Sequence, residues 1–235
     1  MILFVRVMLL LSTLIREGFS QNTIFLLFSS LFVVFCTLPV HEMAHAFVAY
    51  KLGDNTAKNM GRLTMDPFKH LDWFGSVLIV LFGFGWAKPV PVNPANFKNP
   101  KKGMALTALA GPISNLLMAF LFMLIANGIG LIPATQDTIY YINMIYLFLF
   151  YAAVINITLA VFNLIPVPPL DGSRLLCAFL PDRLYFKVMQ YERYFMLVIL
   201  LLLITGVLDI PINFLSDLLL RGIVYLANLP FAFFR

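Results

Sequence analysis

Apolar residues in this chain come in long, nearly charge-free runs, separated by short stretches that gather most of the charge. Residues 22–50 form the first run long enough to cross a bilayer as a helix, which takes about 20 apolar residues. Residues 103–131 and 138–165 form the second and third. Residues 194–207 continue apolar, and 212–229 make a more amphipathic last segment carrying Asp217 and Arg221. Residues 1–15 are apolar apart from Arg6, Ser12 and Thr13. At ~1.5 Å per residue they reach about 22 Å, short of the ~30 Å hydrocarbon core. They read as an interfacial helix in preference to a tilted partial span, and with no small-residue cleavage site they do not read as a cleaved signal peptide.

The interruptions are as informative as the runs. Residues 73–86 are apolar but broken by Gly75, Gly83 and Gly85, too short to cross and return, so they predict a re-entrant or interfacial segment, partly extended. Pro89, Pro91 and Pro94 then impose an extended path. Pro39, inside the first run, removes a backbone hydrogen bond and predicts a kink. Gly111-Pro112 marks a second weak point. Residues 163–172, with Pro166, Pro168 and Pro169, cannot form a regular helix. The expected architecture is an all-α polytopic membrane protein. It is a bundle of five to six transmembrane helices in a single domain over 1–235 with a core over about 22–208, and has a short re-entrant or extended segment near one face.

Composition agrees: 61% of residues are hydrophobic and 11% charged, against about 25% charged in soluble domains. The net charge of +5 is no nucleic-acid signal, because the basic residues sit in loops between apolar runs. Cys36 and Cys177 make no spacing motif and read as inert packing thiols. Lys51, Lys58, Arg62, Lys69, Lys88, Lys98, Lys101, Lys102, Arg174, Arg183, Lys187 and Arg193 all fall on one side of the expected spans. The positive-inside rule makes that side cytoplasmic, in the cell membrane.

Candidate chemistry begins at His41-Glu42-Met43-Ala44-His45, near the end of the first run. Two histidines four apart on a helix stand one turn above each other and can grip one zinc ion. Glu42, beside them, is placed to take a proton from an attacking water. A catalytic zinc takes three protein ligands and keeps an open position. Asp171 is the best third: it sits in a proline-stiffened turn at similar depth, whereas Asp66, Asp72 and Asp182 are cytoplasmic loop residues and Asp137 and Asp209 lie on the other side. Taken alone, Asp171 is equally a cap or turn residue beside Gly172. His70, in a loop with no spaced partner, reads as a solvated or interfacial residue. The Asn115 amide is positioned either to donate to a developing oxyanion or to bridge helices beside Gly111-Pro112.

His41-Glu42-Met43-Ala44-His45 in one apolar helix, with Asn163-Leu164-Ile165-Pro166 and Leu170-Asp171-Gly172 far downstream, resembles the site-two protease family of intramembrane zinc metalloproteases. Gly111-Pro112-Ile113-Ser114-Asn115 is similar to a third motif of that family. The resemblance runs over about 35–176 and is of the compact prokaryotic type, without PDZ or CBS domain. It implies one Zn2+ held by His41, His45 and Asp171, Glu42 as the base, and Asn115 stabilising the oxyanion or holding substrate. It also implies transmembrane proteins as clients within the lipid bilayer.

The competing readings are a zinc-binding transporter or scaffold, and an inactive binder of membrane helices. A transporter would show repeated halves and polar residues along a path through the membrane. Here the polar groups gather near one face, and neither Glu42 nor any ligand candidate is missing. A helical substrate must unwind before attack, and the extended path of 89–94 offers an edge to which an unwound strand could add.

Overall fold

A computed structural model describes residues 14–15, 18–82, 86–133, 135–181, 184 and 191–232. The first span is one long rod in three parts. Helix α1 (Gln21–Phe32) starts at Ser20, whose hydroxyl accepts the Thr23 N–H, and passes through a π-turn (Val33–Thr37) into α2 (Leu38–Lys51). The irregularity expected at Pro39 therefore lies just upstream of it. Pro39 occupies the first turn of α2, where a missing N–H costs least, while the Leu38 N–H reaches back to Val33 and the Thr37 hydroxyl donates to the same carbonyl. Cys36, on this π-turn, faces outward instead of packing.

Two single-turn helices follow, α3 (Thr56–Asn59) and α4 (Pro67–His70), then α5 (Trp73–Phe82). Ten residues of helix reach only ~15 Å, so α5 cannot cross. After it the chain runs extended: Ala87 bridges antiparallel to Leu71, and the Lys88 N–H donates to the His70 carbonyl at 2.8 Å. Arg62 donates to the Lys88 carbonyl, and Val90 buries its side chain with Ala46 and Ala57.

Asp54 anchors the far end of this segment. It is fully buried and accepts from the Asn93 N–H and the Asn96 side-chain amide, both at 2.7 Å, and from the Thr56 N–H and hydroxyl. Burial alone would raise the Asp54 pKa, but the bonds from Thr56, Asn96 and Asn93 outweigh it and hold the carboxyl below its ordinary value.

Helix α6 (Pro100–Ile129) is capped by Asn99 and runs unbroken past Pro112. The expected break is absent: the helix continues on both sides of Pro112, and two residues on the Ser114 hydroxyl donates to the Gly111 carbonyl at 2.7 Å. Helix α7 (Gln136–Asn163) opens on a Thr135–Thr138 capping box. The proline-rich turn leads to the short α8 (Asp171–Cys177), then α9 (Glu192–Ile204) and α10 (Asp209–Asn228). Gly172 permits α8 to start hard against the end of α7, since a Cβ there would collide with the backbone of Leu164 and Ile165.

Among the described residues four helices are long and apolar enough to cross a membrane: Gln21–Lys51, Pro100–Ile129, Thr138–Asn163 and Asp209–Phe231. The chain is an all-α polytopic membrane protein. The last segment thus has the length to span, α9 with 13 residues is short of it, and residues 1–13 lie outside the described part. The core forms where α1, α6, α7 and α10 meet. Ala119, Ala126, Ala152 and Ala153 let backbones approach, Phe32 sits edge-on to Phe122 and Phe148, and the Ser29 hydroxyl crosses to the Phe148 carbonyl.

Candidate metal centre

Helix α2 presents His41 and His45 one turn apart, and α8 brings Asp171 to meet them. The two Nε2 atoms are 3.1 Å apart, and Asp171 Oδ2 lies 3.5 Å from Nε2 of His41 and 3.3 Å from Nε2 of His45. Ligands about 2.0–2.1 Å from a tetrahedral zinc stand roughly 3.3–3.4 Å from each other, so the spacing of this trio fits that ion. Both histidines are buried and Asp171 nearly so.

One donor, His45, is oriented from outside, while Nδ1 of His41 is buried with no partner among the described residues. Nδ1 of His45 is 2.7 Å from the Thr107 carbonyl on α6, so Nδ1 carries the proton and Nε2 presents its lone pair to the trio. One turn further along α6, Gly111 faces both rings; a Cβ there would come within 2.5 Å of Cε1 and Nε2 of His41 and closer still to Nε2 of His45. The glycine is the space in which the metal-site rings lie.

His41, Glu42, His45 and Asp171 all line one cavity of about 490 Å³. Its walls come from α2, from the extended segment (Trp86, Pro89, Val90, Val92) and from the turn around Asn163 and Leu170. Glu42 has no hydrogen-bond partner among the described residues, so its carboxylate is uncommitted beside the trio. The volume is in the range of small-ligand and peptide pockets, ~300–1,000 Å³.

Asn115 and His70 differ from these four. Asn115 is buried on α6 one turn beyond Gly111; its Nδ2 lacks a partner among the described residues, and it does not reach the cavity wall. His70 is fully buried, not solvated, with its Nε2 2.8 Å from the Thr64 carbonyl, and stands apart from the trio. The Thr64 carbonyl replaces water at Nε2, and the backbone on either side of the ring is tied to 87–88. Three features do not follow from the sequence pattern: the Thr107 carbonyl, the space at Gly111, and Arg174, one turn after Asp171 on the cavity wall. Only Arg174 leaves a side-chain signal, its i, i+3 spacing from Asp171.

Membrane-length helices around a buried His-His-carboxylate trio, with a free glutamate on the same cavity, define a membrane-embedded metallohydrolase. The chain belongs to Peptidase family M50, the site-2 protease family, whose model matches residues 29–204, and it is a zinc metalloprotease. It is similar to YwhC of Bacillus subtilis (strain 168), described by name as a candidate zinc metalloprotease. The two are 44% identical over 174 residues, 72% of this chain and 77% of YwhC. Rip2 of Mycolicibacterium smegmatis, named likewise, is 27% identical over 181 residues, 74% of this chain and 65% of Rip2. MJ0611 of Methanocaldococcus jannaschii is 29% identical over 142 residues, 58% of this chain and 62% of that protein. No solved structure matches the chain.

Proposed function

We propose that the whole chain is one membrane-embedded domain that hydrolyses peptide bonds within or near the transmembrane segments of membrane proteins. Its centre is a zinc ion held by His41, His45 and Asp171. The observation that carries this is the 3.1–3.5 Å triangle of donor atoms with Glu42 free beside it. When bound, zinc polarises the scissile carbonyl and lowers the pKa of the attacking water to about 7. Glu42 takes that water's proton and passes it to the leaving amine. Thr107 holds the tautomer and aim of His45. Asn115 lies one turn deeper on α6, buried off the cavity wall with its amide N–H unpaired, so a contact with the substrate carbonyl requires that face of α6 to open.

The centre lies six residues before the end of α2 at Lys51, about 9 Å at ~1.5 Å per residue, on the side rich in Lys and Arg. In the cell membrane this gives the site a cytoplasmic opening and a source of water. The backbone N–H and C=O groups of Val90 and Val92 have no partner among the described residues, while Lys88 and Asn93 on either side are tied down. An unwound substrate strand would pair there, beside the trio.

The test is Glu42→Gln in purified full-length protein with a single-span client. Cleavage should fall about 10²–10⁴-fold with one zinc per chain retained. Wild-type cleavage rates in Glu42→Gln would overturn the assignment.

A further inference from the structure

Arg174 is the single lysine or arginine among the residues that line the cavity. It is half-buried between apolar walls, and no carboxylate, carbonyl or hydroxyl pairs with it among the described residues. The nearest acid along its helix is Asp171, one turn back, but the Asp171 carboxylate is engaged by His41 and His45 and forms no ion pair with Arg174. A guanidinium that reaches a mostly apolar cavity is a fixed cation able to pair with an anion brought into that cavity. Its planar fork matches a carboxylate, which can accept two parallel N–H bonds. No described residue occupies this fork, which leaves it open to an anion that enters with the ligand.

We propose that Arg174 is a specificity-determining residue that reads a carboxylate on the substrate, one or two residues from the bond that is cut. The proposal rests on the peptidase reading above. Residues three apart on a helix have Cβ atoms about 5–6 Å apart, which corresponds to roughly two residues of extended chain at ~3.3 Å each. A carboxylate at that distance has two sources, an aspartate or glutamate side chain or the free end of a chain that has already been trimmed. Both present the same two oxygens.

The experiment measures binding apart from cleavage. Full-length protein carrying Glu42→Gln, in lipid nanodiscs, is titrated with fluorescent peptides spanning the cleaved region of a model client. One set carries Glu at each of the two positions on either side of the scissile bond, with Gln in its place as control. The other compares a free with an amidated C-terminus. One carboxylate peptide should bind about ten- to a hundredfold more tightly than its neutral control, as a hydrogen-bonded ion pair provides, and the set in which this happens identifies the source. Adding Arg174→Gln should bring that ratio to near one with zinc content unchanged. Arg174→Lys, which keeps the charge but not the fork, should leave a reduced ratio, and it decides the matter if Arg174→Gln does not hold metal. Equal affinity for acid and neutral peptides at every position, or a ratio that survives undiminished in Arg174→Lys and Arg174→Gln, would overturn the proposal. Cleavage of the same peptides by protein with Glu42 intact is read separately; its absence would count against the peptidase reading and not against the binding ratio.

Discussion

Gly111→Ala adds one methyl group, and helix propensity and site geometry pull in opposite directions. Alanine in a helix interior is about 1 kcal/mol better than glycine, so local preference says the protein should gain. The added Cβ, however, would lie within 2.5 Å of Nε2 and Cε1 of His41 and still nearer Nε2 of His45, where ordinary contacts start at about 3.4 Å. Some 1 Å of movement is needed, and the atoms that must move are the donors themselves. Metal–ligand distances tolerate roughly ±0.2 Å, and a 1 Å misplacement at a reacting centre costs about 10²-fold in rate. We expect zinc affinity to fall at least ~10-fold, the lower end of what disturbed ligand support costs, and kcat/KM about 100-fold. Stability of the metal-free protein should change by no more than the ~1–3 kcal/mol of an overpacked core. The assay pairs a chelator-competition titration of zinc with client cleavage and a melting curve of the apo protein. Full zinc affinity and kcat/KM within twofold of wild type would show that the α2–α6 contact is slack and that Gly111 does not shape the centre.

Other consequences are checked in the same way. Asp171→Asn should lose zinc at chelator concentrations that leave the wild type loaded, and Asp171→Glu should not hold it as the wild type does, because Asp171 Oδ2 already stands 3.3–3.5 Å from both rings and one more methylene displaces the oxygen from that position. Changing Val90 and Val92 together to Pro removes the two free N–H groups of the extended segment; cleavage should drop sharply while zinc content holds, and unchanged cleavage would refute strand addition. Asp54→Asn should cost about 1.5–3 kcal/mol, the range for charged hydrogen bonds, at neutral pH. Since the folded carboxyl sits below its ordinary value of ~3.9, that stabilisation is complete above the ordinary value and fades as pH falls through the lower, folded one. Melting curves of wild type and variant should therefore converge only in strong acid.

Much of the site is legible in the order of the residues. The i, i+4 spacing of His41 and His45 is a property of any helix, and the long apolar runs make that helix a membrane one. The one-sided placement of lysine and arginine sets aside Asp137 and Asp209, the proline-stiffened turn favours Asp171 over the loop acids, and α8 does bring Asp171, 126 positions from His45, within 3.5 Å of both rings. Prolines are less reliable guides. Pro112 does not break α6 and Pro39 falls in a first turn, because the effect of a missing N–H depends on where in a helix it falls and on what packs around it.

What sequence alone determined, then, is the set of reactive groups and the membrane they belong to, because side-chain identity and hydrophobic run length are written residue by residue. Tertiary structure alone decided how those groups are aimed. The Thr107 partner of His45 is a backbone carbonyl, which every residue type offers. Gly111 contributes by having no atoms where the rings lie. His70 is buried only once the chain folds, and Arg174 became notable only because no described residue pairs with it. Each of these depends on which surface faces which, and that is settled only when the helices pack.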